Sequence, residues 1–187
     1  MEKVDTIIKE TRDWVLKVVV GLNFCPFAAP EVKKDSIRYA VCDSDEKETM
    51  LLMMADECKR LDADPSIETT LLILPVGMED FNEYLDLVST AELLIEQQGY
   101  EGIYQVAGFH PDYVFFGSDE EDAANYTNRS IYPMLHLIRE ETIERVIEGH
   151  PDPDGIPERN IEYAREMGLQ KMRTTCTRTE RPYEALL

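Results

Sequence analysis

The stretch ETTLLILP, residues 68–75, is a short and nearly unbroken run of apolar and β-branched residues. Such a run is typical of a strand that is covered on both faces, as in the parallel sheets of α/β proteins. Two further strand-like stretches lie on either side of it, SIRYAVC at 36–42 and GIYQVAGFHP at 102–111. We therefore expect three strands of one sheet, at 37–42, 69–74 and 103–109.

Helical patterns fill both gaps between these strands, near 46–61 and 79–97. Each gap is long enough for a crossover helix and contains no hairpin turn signal, which favours parallel neighbours and right-handed crossovers. The sequence thus predicts an α/β fold, a single compact domain with a largely parallel sheet of three or more strands packed with helices. The alternative is an α+β ferredoxin-like split-βαβ sandwich, in which YVFFG at 113–117 supplies a hairpin strand.

Further helices are expected on both sides of this region. Residues 4–22 show helical spacing with one apolar face, and a second helix is predicted from Ile131 to Ile147. In IPERNIEYAREMG, Pro157 lies in the first turn of a predicted helix and Gly168 at its end.

The rest of the chain shows no internal repeat and no linker, so we treat residues 1–187 as one domain. The tail from about Gln170 onward is polar and locally basic, and we expect it to be loosely packed.

The charge of the chain restricts its partners. Its 38 acidic and 19 basic residues give a formal net charge of −19, and a negative field repels phosphate backbones. We therefore expect no nucleic acid and no membrane partner. The amino-terminal segment does not have the pattern of a signal peptide, and no apolar run is long enough to span a bilayer, which predicts a cytoplasmic protein.

The four cysteines are expected to be reduced in that compartment. None of them lies in a CxxC pattern, so neither a zinc knuckle nor a redox dithiol is indicated. Cys42 and Cys58 lie on apolar stripes and are predicted to be core residues, whereas Cys176 lies in the polar tail without an evident partner.

Cys25 lies in GLNFCPFAAP, between two phenylalanines and next to a proline. One interpretation is a small hydrophobic residue packed beside Phe24 and Phe27. The other is a nucleophile whose thiolate an adjacent base produces. Because Cys25 follows a helix, we expect no helix dipole to assist it.

His110 lies at the carboxyl end of the third predicted strand, where ligands of open parallel sheets bind. It is therefore a candidate base for Cys25, although a ring that bridges backbone groups in a turn fits equally. His136, flanked by apolar residues, is predicted to be a core histidine, and His150 to lie in an exposed turn. The histidines lack the spacing of a helical metal pair, so no metal ligand is assigned.

Asn128, Arg129 and Ser130 precede the helix predicted from Ile131. We expect Ser130 to cap that helix. The unpaired N–H groups of the first turn and the planar guanidinium of Arg129 would then form a binding site for a carboxylate or phosphate. The alternative is that Arg129 pairs with the acidic run from Asp119 to Asp122.

Four segments, GLNFCPFA, FHP, NRSIYPMLHLIRE and IPERN, resemble the bacterial family called domain of unknown function 1415. The resemblance covers nearly the whole chain. It implies a single compact unit, but no reaction and no cofactor. Ile131 stands where the family pattern has a proline.

Three hypotheses of function follow. The first is an enzyme-like small-molecule site in which Cys25 and His110 catalyse acyl or group transfer, or hydrolysis, while Asn128 and Arg129 hold an acidic substrate. The second is a non-catalytic binding or adaptor domain whose acidic surface meets a basic partner. The third is a metal site formed by Cys25, His110 and Asp112.

Overall fold

The structure, a computed structural model, describes residues 2–176 of the chain. It contains one four-stranded sheet with strand order β1-β2-β4-β3. The strands are β1 (Ile37–Val41), β2 (Thr69–Ile73), β3 (Tyr104–Phe109) and β4 (Met134–Arg139). The three strands expected from the sequence are thereby confirmed, and all five residues of β2 are buried as predicted.

Seven α-helices, a π-helix and a 3-10 helix surround the sheet in the described part of the chain. The α-helices are α1 (Glu2–Trp14), α2 (Ala28–Lys34), α3 (Lys47–Ala63), α4 (Phe81–Gln97), α5 (Glu140–Gly149), α6 (Ile156–Met167) and α7 (Leu169–Cys176). The π-helix, Val15–Val20, continues α1, and the 3-10 helix is Ala123–Thr127. The crossover helices α3 and α4 lie where the sequence predicted them, and α6 has Pro157 in its first turn.

The helix predicted from Ile131 to Ile147 is wrong in its first half. Met134–Arg139 forms strand β4, and helix α5 begins only at Glu140. A short apolar run such as MLHLI fits a buried strand as well as a buried helix, so its periodicity does not discriminate. In the fold this segment lies between β2 and β3 and pairs antiparallel with both.

The inserted strand changes the topology of the sheet. β1 and β2 pair in parallel, as predicted, but β3 is separated from β2 by β4. The unit β2–α4–β3 with an antiparallel strand between its two strands is a split βαβ. The α/β class is confirmed, but the sheet is mixed and not largely parallel, since two of its three strand pairs are antiparallel. The segment 113–117, considered as the hairpin strand of the alternative fold, contains no strand.

Each face of the sheet carries its own apolar core. On one face, α3 and α4 pack against alternate residues of the strands, including Leu72 and Leu135. On the other face, α1, the π-helix, α6 and α7 pack against Leu71, Ile73 and Met134. We call these the α4 face and the α1 face. Because both faces are covered, the central strands are apolar on both sides.

The described part of the tail is a helix. Met172 and Cys176 of α7 are buried in the core of the α1 face, and residues 177–187 lie outside the described part. Among residues 2–176, no helix combines the length and apolar character needed to cross a membrane.

Candidate functional site

Cys25 follows an irregular end of the first helix. The chain leaves the π-helix at Gly21, and Asn23 adopts a left-handed conformation with φ of 55°. The Phe24 N–H then bonds back to the Val19 carbonyl at 2.9 Å. We call residues 21–27 the Cys25 turn. π-helices and left-handed non-glycine residues are enriched at functional sites.

Helix α6 holds this turn from the side. The Asn160 side chain donates to the Phe24 carbonyl at 2.7 Å, and the Arg159 guanidinium donates to the Asn23 carbonyl. Tyr163 contacts the Phe24 ring edge-on, with ring centroids 6.4 Å apart. Asn160 is buried, so its amide satisfies a carbonyl that water does not reach.

The Cys25 sulfur lies at the start of helix α2. The backbone N–H groups of Phe27 and Ala28 lie beside it, and the Ala28 N–H donates to the Cys25 carbonyl at 3.2 Å where α2 begins. A second helix, α2, begins three residues after Cys25, with Phe27 as its N-cap, a feature that the sequence analysis did not include. Burial raises the pKa of the Cys25 thiol, and the two N–H groups act in the opposite direction. Cys25 is partly exposed, whereas Cys42, Cys58 and Cys176 are buried.

His110 directly follows β3, at the strand end where the sequence predicted it. Its Nε2 lies 2.9 Å from the Met78 carbonyl, and its Nδ1 accepts the Asp112 N–H at 3.0 Å. The ring is therefore the Nε2–H tautomer. It packs against Phe81 and Tyr84, and burial lowers its pKa. Both nitrogens of this neutral ring are occupied, which matches the turn-bridging interpretation.

The structure does not bring Cys25 and His110 into contact. The His110 ring packs against α4, whereas the Cys25 turn is held by α6 on the other face of the sheet. Within the described residues, no hydrogen bond joins the Cys25 thiol to the His110 ring. A proton transfer between the two side chains has no direct route in this arrangement.

His110 is instead brought to the segment that contains Asn128, Arg129 and Ser130. The His110 N–H donates to the Asn128 carbonyl, and the Ser130 N–H donates to the His110 carbonyl, both at 3.4 Å. These bonds align the segment beside the end of β3 just before β4 begins.

Arg129 is occupied by backbone carbonyls. Its Nε donates to Tyr113 and its Nη2 to Glu120, each at 3.0 Å, and its guanidinium lies 4.6 Å from the centre of the Tyr126 ring. Arg129 thereby closes the loop between β3 and the 3-10 helix. It does so through carbonyl oxygens and not through the carboxylates of the acidic run.

The helix start expected beside Arg129 is absent. The chain bends at 131–133 and enters β4, and the Ser130 hydroxyl donates to the Tyr132 carbonyl. Ser130 therefore caps no helix, which removes the unpaired N–H groups on which the predicted anion site depended.

The metal hypothesis has little geometric support. Among residues 2–176, no group of three or more His, Cys, Asp or Glu side chains is arranged to hold a metal ion. Asp112 lies beside His110, while Cys25 lies on the other face.

Two histidines that the sequence did not place in a site have notable surroundings. The His150 ring meets the Phe27 ring edge-on at 5.9 Å, so it borders the Cys25 turn. The His136 ring lies on the α1 face, with its Nε2 2.7 Å from the Thr69 hydroxyl. Neither neighbour is close in sequence, so no local pattern indicated these contacts.

Comparison with protein families shows one match. The model of the family described as "Protein of unknown function (DUF1415)" matches residues 6–174. The chain belongs to this family. The resemblance drawn from its motifs is thereby confirmed. Searches of curated proteins and of solved structures return no match.

The family motifs fall into two groups in space. GLNFCPFA and IPERN meet where α6 holds the Cys25 turn. FHP and the start of NRSIYPMLHLIRE meet through the backbone bonds of His110. The second half of the latter motif is β4, one of the two central strands, which pairs with β2 and with β3. Membership in the family assigns no reaction to either group.

Proposed function

We propose that the Cys25 turn is a site of thiol chemistry on a small acidic molecule, with Cys25 as nucleophile in acyl or related group transfer, or in hydrolysis. The observation that carries the proposal is the position of the thiol beside the backbone N–H groups of Phe27 and Ala28, where α2 starts, since these groups act to lower its pKa. Such groups stabilise a thiolate when it forms. The same groups and the rigid turn favour a fixed direction of attack.

A base is needed because burial raises the pKa of the Cys25 thiol. His150 is a better candidate for this role than His110. The Phe27 ring contacts the His150 ring, and the Phe27 N–H is one of the two groups that act to lower the pKa of the Cys25 thiol. The Nδ1 of His150 accepts the Asp152 N–H at 3.2 Å, which places the hydrogen of the neutral ring on Nε2. The proton of the thiol would therefore go to Nδ1, and the exposed bond to Asp152 opens when the ring acts as base.

The acidic character of the substrate is inferred from Arg159. Its Nη2 holds the turn through the Asn23 carbonyl and the Asn160 side chain. The remaining N–H groups of this exposed guanidinium can bind a carboxylate. Arg159 contacts the Cys25 turn and forms no ion pair within the described residues, which is notable in a chain with a net charge of −19. The small anionic ligand is thus assigned to this turn and not to Arg129.

The test combines alkylation with an acyl transfer assay. Iodoacetamide with mass-spectrometric mapping between pH 6 and pH 9.5 should modify Cys25 while the three buried thiols remain protected. A p-nitrophenyl ester of a dicarboxylic acid should acylate Cys25 and release nitrophenolate. His150→Gln should slow both reactions near pH 7.5 without changing the melting temperature, and His110→Gln serves as the matched control.

Two results would contradict the proposal. One is an alkylation rate of Cys25 that depends on pH as that of an ordinary thiol does and that is the same in His150→Gln. The other is an ester that labels no cysteine of the folded protein.

A second candidate function rests on Phe116, whose side chain is fully exposed. It lies at the tip of the loop that Arg129 closes, beside the acidic run that begins at Asp119. An exposed aromatic ring with neighbouring negative charge favours a basic partner with an apolar anchor. Fluorescence anisotropy with a Lys-rich peptide that contains leucine should show binding that Phe116→Ser removes. The exposed Leu52 of α3 provides the control Leu52→Ser.

A further inference from the structure

Helix α5 is the one helix of residues 2–176 that adds no side chain to either apolar core. None of its ten residues is buried. Its apolar side chains nevertheless share one side of the helix, since Ile143 is followed by Val146 and Ile147 at intervals of three and four. Ile143 and Val146 are partly exposed, and Ile147 is 45% exposed. We call these three residues the α5 stripe. The protein itself covers this stripe only in part.

Polar contacts hold α5 from a different side. The Thr142 hydroxyl donates to the Glu68 carboxylate, and Arg145 forms an ion pair with the same carboxylate at 3.8 Å. Arg145 also donates to the Thr142 hydroxyl at 3.0 Å. Thr142 and Arg145 are three residues apart, so they lie on one side of the helix. Because Glu68 directly precedes β2, these bonds fix α5 against the sheet and leave the α5 stripe available for another contact.

A row of glutamates borders the α5 stripe. Glu140, Glu144 and Glu148 are spaced by four residues, so they follow one another along one side of the helix. Like charges at this spacing repel each other, and Glu148 in the last turn also opposes the helix dipole. Within the described residues, none of these three carboxylates forms an ion pair. The row destabilises the helix by itself, and cations of a partner would offset the repulsion.

The charge of this surface indicates the kind of partner. A second copy of the chain would bring an identical row of glutamates, and both copies carry a net charge of −19. Phosphate backbones and anionic membrane surfaces are repelled for the same reason. A helix with lysine or arginine residues beside an apolar face matches both the α5 stripe and the glutamate row.

We propose that α5 is a docking surface for a basic amphipathic helix of a partner protein. The apolar face of that helix covers Ile143, Val146 and Ile147, and its lysine or arginine side chains pair with Glu144 and Glu148. Apolar burial supplies the affinity, and the paired charges set the orientation of the partner. This docking surface does not depend on the thiol chemistry of Cys25.

The probe is a fluorescein-labelled peptide of leucine and lysine, about 14 residues long, patterned as a helix with one leucine face. Fluorescence anisotropy at roughly 150 mM salt should show saturable binding to wild type and to Phe116→Ser, which separates α5 from the surface at Phe116. A peptide with glutamate in place of lysine should not bind. The basic peptide should also slow the amide hydrogen exchange of residues 140–149 but not that of α3.

Two variants test the surface, and each has a matched control on α4. Ile147→Ser removes the exposed end of the α5 stripe, and Leu93→Ser removes an apolar side chain that is 55% exposed. Glu144→Lys reverses one charge of the row, and Glu96→Lys makes the same change in net charge at another exposed position. Both α5 variants should weaken binding of the peptide at least roughly fivefold, whereas both α4 variants should change its Kd by less than roughly twofold.

Three results would overturn the proposal. One is the absence of saturable binding to Phe116→Ser at peptide concentrations up to roughly 200 μM. Another is binding that the α5 and α4 variants weaken equally, which would reflect only the net charge of the protein. The third is a concentration-dependent dimer in sedimentation experiments that Ile147→Ser dissociates, since the α5 stripe would then belong to a contact between two copies of the chain.

Discussion

The Asn160 side chain of α6 reaches across 136 residues of sequence to the Phe24 carbonyl, at a distance of 2.7 Å. This bond connects two family motifs and fixes the backbone next to Cys25. Asn160→Asp keeps the size of the side chain but removes the donor. We expect a loss of about 1 to 3 kcal/mol in the free energy of unfolding, because a buried carbonyl then lacks its partner.

The same variant should also increase the alkylation rate of Cys25, since the turn is then less constrained. Urea denaturation measures the stability, and mass-spectrometric mapping measures the alkylation. Asn82→Asp, at an exposed position of α4, is the matched control. Unchanged stability with unchanged Cys25 reactivity would show that α6 does not brace the turn.

Arg129 is expected to act on stability and not on anion binding. Arg129→Ala removes two charge-assisted bonds to the carbonyls of Tyr113 and Glu120 and the contact with the Tyr126 ring. A loss of about 1.5 to 3 kcal/mol is expected in the free energy of unfolding. Arg129→Lys should recover only part of it, because an ammonium group does not form a planar fork. Thermal melts with and without phosphate test this. If phosphate stabilises the wild type but not Arg129→Ala, Arg129 belongs to an anion site.

Gly108 and Tyr84 are predicted to be energetically coupled. A Cβ at Gly108 would lie 2.7 Å from the Tyr84 hydroxyl oxygen, but 3.5 Å from the nearest ring carbons. Gly108→Ala should therefore destabilise the protein by about 1 to 3 kcal/mol through overpacking. Tyr84→Phe removes the bond to the Met134 carbonyl at a net loss of about 0.5 to 1.5 kcal/mol.

In the double variant the clash is absent, so its destabilisation should fall below the sum of the two single values by at least about 0.5 kcal/mol. Chemical denaturation of all four proteins gives the coupling energy. Strict additivity would mean that the strand backbone moves to accept the methyl group.

His136 is expected to make stability depend on pH. Burial lowers the pKa of its ring to about 4, whereas the ring in the unfolded chain titrates near its ordinary value of about 6.5. Between these values the unfolded state binds a proton that the folded state does not, so stability falls as the pH falls. The slope attributable to one such proton is at most about 1.4 kcal/mol per pH unit.

Denaturant titrations of wild type and His136→Gln from pH 7.5 to pH 4 measure this slope. The variant should lose less stability over that range, and the difference between the two proteins removes the contribution of the carboxylates. Parallel pH profiles would show that the ring binds its proton at the same pH in the folded and unfolded states.

Much of the fold was determined by local patterns in the sequence. The run at 68–75 is apolar on both sides, and it became the fully buried strand β2. The helical stripes of α3 and α4, and the Pro157 and Gly168 limits of α6, act over a few residues and predicted those elements correctly. Periodicity and the residues at the ends are enough to predict such elements, because the interactions that form each element lie within it.

Only the tertiary structure decided the state of Met134–Arg139 and the surroundings of the candidate residues. The segment is a strand because its backbone N–H and C=O groups form hydrogen bonds with β2 on one side and with β3 on the other. The isolated segment has neither neighbour. The Cys25 turn is held by Asn160 of α6, the His110 ring contacts Tyr84 of α4, and the Trp14 ring contacts Phe109. Contacts between distant segments depend on how the layers pack, and a residue pattern in one segment carries no information about its neighbours in space.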